Sequence, residues 1–186
     1  MHDWGWVALA VAVLALIAWY LSYSAARLDR LHGRVEGSLS ALDAQLVRRA
    51  ETSMELANSG LLDPASSMLL AEAAGSSLDA SDAAEVASEV QEYGVDHERA
   101  AIETDLTGAL LAVLTIDSAA QEGVANYAYR VRQAGERVQL ARRFHDDAVR
   151  DVRRVRGKPV VRVFRLAGHT YLPEMVQFDD RVPALD

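Results

Sequence analysis

The sequence predicts an all-α protein: an N-terminal transmembrane helix continuous with a long antiparallel helical bundle. Three observations predict it. Trp4 to Tyr23 is a run of 20 residues without a charge, about the length a helix needs to cross a hydrocarbon layer of ~30 Å. From Leu28 onward, apolar residues recur at steps of three and four with charges between them, the pattern of a helix with one buried stripe. No stretch alternates with period two between hairpin turns, so strands are at most a minor component.

The first element spans the membrane-length run and more. Trp4 and Trp6 mark one end of the apolar run, and Trp19, Tyr20 and Tyr23 the other, where half-wet rings favour the headgroup level. Signal peptides have a basic leader and an apolar core of roughly 7–15 residues. This chain opens Met1-His2-Asp3, so residues 1–24 read as a retained anchor. Arg27, Arg30 and Arg34 follow the run and place the C-terminal side in the cytoplasm, with the N-terminus outside. Gly5, Ala8, Ala12 and Ala15 share one face of this helix, of the kind that lets a second transmembrane helix come close; in so alanine-rich a chain, composition alone is the alternative explanation. The stripe Leu28, Leu31, Val35, Leu39, Leu42, Leu46, Ala50, Met54 and Ala57 then closes an 11-residue repeat, which keeps a seam facing one way along a nearly straight rod. Such a rod requires partner helices.

The rod is expected to stop at Asn58-Ser59-Gly60, where Gly takes the left-handed cap conformation. Asp63-Pro64 then starts a short helix through Ala65, Met68, Leu69 and Glu72, Asp capping and Pro at the first position. Gly75-Ser76-Ser77 is expected to end it. Ser81-Asp82, with Glu85 three residues on, resembles a capping box and opens a second long helix to about Thr115, carrying Val86, Val90, Ile102, Leu106, Leu110 and Val113, with Gly94 a place to kink or split. A third long helix begins near Ser118, carries Val124, Tyr127, Val131, Ala134, Val138, Ala141, Val149 and Val152, and stops at Gly157-Lys158-Pro159. Residues 25–157 thus form the cytoplasmic bundle. Residues 158–186 read as a short amphipathic helix and an extended tail packed along it.

Composition narrows the function classes. At 186 residues there is room for one soluble core beside the anchor. With no cysteine there is no disulfide and no thiolate chemistry. A net charge of −8 does not suggest a nucleic-acid binder.

Two residue blocks resemble the LemA family of bacterial membrane proteins. The first is Leu42-Asp43-Ala44-Gln45-Leu46-Val47-Arg48-Arg49-Ala50-Glu51. The second is Arg137-Val138-Gln139-Leu140-Ala141-Arg142-Arg143, followed by Asp147-Ala148-Val149-Arg150. The ending Pro173-Glu174-Met175-Val176-Gln177-Phe178 is also similar to the family's. The chain departs where His145-Asp146 replaces a Tyr-Asn pair and Met54-Glu55 a Pro-Asn pair, as in a divergent member. The resemblance implies one span in a bacterial cell membrane and a helical bundle, and little about chemistry. Within the first block, Asp43, Gln45, Arg48 and Arg49 are expected to flank the apolar seam and set bundle register by reaching carboxylates of a neighbouring helix.

The sequence offers no catalytic constellation. His2, His32, His97, His145 and His169 stand in no His-Glu-x-x-His or Glu-x-x-His arrangement, and no phosphate-cradling glycine loop or nucleophile elbow is present. No catalytic, cofactor or metal residues are assigned, and no cofactor or small-molecule substrate is implied. Asp146 with Arg150 and Asp147 with Arg143 read as a solvated salt-bridge face. The remaining feature is a basic surface including Arg153, Arg154, Arg156, Lys158, Arg162 and Arg165. It serves an anionic leaflet if the bundle folds back to the membrane, and an acidic protein surface or its own helix end if it does not. The partners implied are membrane lipids and other membrane-protein subunits or a second copy. The expected function is an accessory or scaffold subunit of a larger membrane assembly, with a respiratory supercomplex a natural host. The alternative is a self-assembling membrane-surface protein that binds or remodels lipid.

Overall fold

The computed structural model describes residues 3–88, 97–119, 121, 123–159, 161 and 172–185. Five helices account for most of them: α1 (Asp3–Ala57), α2 (Pro64–Ser88), α3 (His97–Val113), the single turn α4 (Ile116–Ala119) and α5 (Val124–Arg156). There is no strand among the described residues.

Helix α1 is 55 residues long and unbroken. Its side chains from Trp4 to Tyr20 are exposed, and this end has a mean hydropathy of 2.1, long and apolar enough to cross a membrane. The same helix becomes core at Leu28, Val35, Leu42, Leu46 and Ala50, each at most 3% exposed. Burying side chains of this size contributes about 1.5–3 kcal/mol each for the larger ones, which is what fixes the outer half of the rod against its neighbours.

The chain leaves α1 through Gly60, whose φ of 73° is a backbone conformation that favours glycine. The Asp63 carboxylate accepts from the amides of Ala65 (3.0 Å) and Ser66 (3.1 Å), and the Ser66 side chain first, with these amides, holds its pKa below the usual carboxylate value. The cap and Pro64 start α2 where the sequence places them. Gly75-Ser76-Ser77 does not end it, and Ser81-Asp82 does not open another helix: α2 runs through both to Ser88. The hydroxyls that mark a terminus in isolation here point inward and find partners, Ser77 on Glu103 and Ser81 on Arg99. Gly75 lies beside α1, where an added Cβ would meet the Met54 Cε at 3.7 Å. On α2, Leu70 and Ala74 are buried while Met68 and Leu69 are exposed. Gly94 and Val90 lie outside the described residues.

Helix α3 ends near the expected Thr115. The third long helix starts later than Ser118, which sits in α4 with its hydroxyl donating to the Val113 carbonyl (2.7 Å). A positive φ of 91° at Gly123 separates α4 from α5. At the far end the Gly157 and Lys158 amides donate to the carbonyls of Arg153 (3.0 Å) and Val155 (3.1 Å), closing α5 where Pro159 follows.

Helix α1 packs on α5 and α2, and α2 on α3. Residues 172–185 are extended and lie between α3 and α5. Val176 and Phe178 join Leu42, Leu46 and Val138 in one cluster. Backbone carbonyls of this strap are bound from both sides, Asp179 by Thr107 (2.7 Å), Asp180 by Gln139 (2.7 Å) and Phe178 by Arg142 (2.8 Å). The extended tail therefore closes the groove between two helices. The short amphipathic helix expected before it falls largely outside the described residues, as do Arg162 and Arg165.

Candidate functional site

The polar centre of the bundle is Glu103. Its side chain is fully buried on α3, on the same face as Leu106, Thr107 and Leu110. One carboxylate oxygen accepts from Arg49 Nη2 of α1 at 2.7 Å. The other accepts from Arg99 Nε (2.8 Å) and from the Ser77 hydroxyl of α2 (2.8 Å). Arg49 extends the network by donating Nη1 to Thr107 Oγ1 (3.1 Å) and Nη2 to the Glu103 carbonyl (3.2 Å). Arg99 donates further to Ser81, and its Nη2 lies 3.4 Å from Asp43 Oδ1. Two guanidiniums and two carboxylates balance in charge. Three helices and, through Thr107 and Asp179, the tail are joined at one point.

A carboxylate in this setting stays charged only with such partners, because removing an ion from water costs several kcal/mol unless paired and hydrogen-bonded. The Glu103 oxygens face protein donors and are closed to solvent. The arrangement ties register: a one-turn slip of α1 against α3 would part Arg49 from Glu103 and leave the Arg49 guanidinium buried without a carboxylate, while Arg99 and Glu103, both on α3, would stay paired.

Of the residues expected to set register, Arg49 does reach a carboxylate of a neighbouring helix, Glu103, but from within the core. It does not flank the seam; it is 1% exposed and among the largest fully buried side chains. Asp43 is half-exposed at the mouth of the network through Arg99. Gln45 is half-buried, with its Oε1 unbonded. Arg48 is exposed, its carbonyl accepting from Thr52 at 2.7 Å. Glu103, Arg99, Ser77 and Thr107 were missed by sequence reasoning. The legible signal was Glu103 at an apolar position of α3, three and seven residues before Leu106 and Leu110, with Arg99 one turn back.

A second buried polar group lies nearer the exposed apolar end of α1. His145, 2% exposed, has Nδ1 3.1 Å from Ser38 Oγ, and that hydroxyl donates to the Val35 carbonyl at 2.8 Å. The Ser38 hydroxyl thus bridges the ring to the α1 backbone, and the ring's Nε2 makes no hydrogen bond. Burial pushes the His145 pKa down from its ordinary value, with the Asp146 charge opposing. The neighbouring salt bridges differ from expectation: Arg150 pairs with Asp147 rather than Asp146, and Asp146 keeps a buried, unbonded Oδ1.

Gly5, Ala8, Ala12 and Ala15 are all exposed on the apolar part of α1. The basic residues at the end of α5 lie toward the exposed apolar end of α1, not far from it. Val155 clusters with Leu28, Val149 and Val152 with Val35, and Arg34 Nη1 is 3.5 Å from Asp151. Helix α5 therefore runs antiparallel to α1 and returns beside the start of the bundle: the helices run out, back, out and back. Arg154 and Lys158 are exposed, while Arg153 and Arg156 are half-buried, and Arg153 Nε donates to the Pro173 carbonyl at 2.9 Å.

Among the described residues, no group of three or more His, Asp or Glu side chains is arranged to hold a metal ion. Compared with protein-family models, curated proteins and solved structures, the chain matches none.

Proposed function

We propose that this is a non-catalytic, single-span membrane protein whose bundle serves as an accessory or scaffold subunit of a larger membrane assembly. One observation carries the reading. The exposed apolar end and the buried core of the bundle belong to one uninterrupted helix, α1. A bundle built this way has no hinge at the membrane surface, so it stands in a set orientation and presents set faces to neighbours in the bilayer. A polar centre whose Glu103 is fully buried and already engaged by three side-chain donors supports a structural role. The two sequence blocks that resemble the LemA family support the same topology, with the bundle in the cytoplasm of a bacterial cell. A multisubunit energy-transducing complex, such as a respiratory supercomplex, is the natural host.

The test is a native pull-down of the tagged full-length protein in mild detergent, with co-purifying proteins identified by mass spectrometry. A stoichiometric set of membrane subunits is the expected result and names the host. Recovery of the protein alone, as a homo-oligomer with bound lipid, replaces this reading with a self-assembling protein that binds or remodels lipid.

A further inference from the structure

The antiparallel return of α5 builds a feature that neither helix carries alone. Contacts along the α1–α5 seam, Leu28 with Val155, Arg34 with Asp151 and Ser38 with His145, bring together residue numbers that sum to about 183. On that register Lys158 is level with Ala25, Arg156 with Arg27, and Arg153 and Arg154 with Arg30 and Asp29. The aromatic end of the span is Tyr23 and the first charge after it is Arg27, so at 1.5 Å per residue this whole band lies within about 10 Å of Tyr23. It holds six cations, Arg27, Arg30, Arg153, Arg154, Arg156 and Lys158, with Asp29 its one acid among residues 24–31 and 152–158. The chain as a whole carries a net charge of −8, so the band is not a consequence of composition.

We infer that this two-helix basic band binds the anionic headgroups of the leaflet on the bundle side, collecting acidic phospholipid around the anchor. The partner is a lipid surface, because the only large surface that α1 holds at this height is the bilayer it enters. The separation is about one Debye length at physiological salt, so the attraction is felt, and arginine and lysine at a membrane surface each contribute substantially to binding acidic lipid. The inference needs α1 to cross the bilayer. It does not need a protein host.

The full-length protein is reconstituted in phosphatidylcholine nanodiscs carrying a trace of either pyrene-acyl phosphatidylglycerol or pyrene-acyl phosphatidylcholine. Energy transfer is read from its own tryptophans, of which Trp19 is nearest the band. The anionic probe is expected to show at least about twice the transfer of the neutral one, falling toward parity near 1 M salt, where the Debye length is about 3 Å. The exposed-charge reversal Arg154→Glu/Lys158→Glu brings the ratio close to one, and Arg154→Gln/Lys158→Gln, the gentler pair, brings it part of the way. Arg130→Gln/Arg137→Gln, exposed and remote on α5, leaves it unchanged. Circular dichroism melts show whether each variant is folded, and the Gln pair carries the test if the reversal is not.

Parity in the wild type, a ratio untouched in both the Glu and the Gln variants of Arg154 and Lys158, or an equal loss in the Arg130/Arg137 pair overturns the proposal. So does failure of the protein to enter nanodiscs, which would remove the span itself. Parity together with a pull-down partner lost only from the reversal variant assigns the band to an acidic protein surface instead. A failed host search alone leaves the lipid ratio standing, so the two readings fail separately.

Discussion

Replacing Glu103 by glutamine keeps the shape of the side chain and removes its charge. The carboxylate takes three donors, two of them arginine nitrogens at 2.7 and 2.8 Å. Hydrogen bonds to charged groups are worth about 1.5–3 kcal/mol each. The variant strips both arginines of their shared counter-charge and leaves only Asp43, 3.4 Å from Arg99 and half in water. Two guanidiniums at 1% and 7% side-chain exposure are then under-compensated. Breaking a buried pair in this way costs about 3–5 kcal/mol, and at 2–4 °C per kcal/mol for a chain of this class the melting midpoint falls by roughly 6–20 °C. The assay is far-UV circular dichroism of the full-length protein in mild detergent, by heat and by urea. The triple variant Arg49→Met/Arg99→Leu/Glu103→Leu has no charge left to strand, and it is expected to be more stable than Glu103→Gln, as apolar replacements of whole buried ion networks often are. A loss below about 1 kcal/mol for Glu103→Gln refutes the reasoning, as does a triple variant that falls further than the single one.

Three more outcomes follow from the structure. The folded His145 imidazole resists protonation, so between its depressed pKa and the ordinary value of 6.5 the unfolded chain binds more protons. Stability therefore declines as pH drops below about 6.5, and melts from pH 7.5 to 5 should show a shallower slope in His145→Asn, which keeps a donor toward Ser38; identical slopes would remove His145 as the cause. Gly108 has open space around an added Cβ, whereas at Gly135 that atom would lie 2.6 Å from Val182 Cγ1. Gly108→Ala should gain about 0.5–1 kcal/mol, while Gly135→Ala should dislodge the tail and speed tryptic cleavage at Arg181. Asp63→Ala should lower the melting midpoint by removing the cap of α2, with Asp63→Asn retaining most of it.

The polar centre was only half legible in the sequence. Arg49 stood out beside Asp43 in a dense block, but its neighbours on α1 placed it at the edge of an apolar seam. Its burial depends on Glu103, 54 positions away, and on α3 approaching closely enough to supply it. Gly75, Ser77 and Ser81 carry the same lesson in reverse. In isolation a glycine followed by serines competes with the helix, yet once Glu103 and Arg99 accept and donate to those hydroxyls the competition ends and α2 continues.

What the sequence determined alone was whatever depends on short-range periodicity and local hydrogen bonding. That includes the charge-free run of α1, its seam from Leu28 to Ala57, the stop at Gly60, the Asp63-Pro64 start and the all-helical class. The tertiary structure decided where residues distant in the chain meet. It seated Arg49 on Glu103, laid the tail between α3 and α5, and returned Arg153 to Lys158 to the level of Arg27. The reason is physical: a helix's pattern states which face it must bury, but several partners satisfy the same face, and only simultaneous packing of all four long helices selects the register that also pairs Arg49 and Arg99 with Glu103.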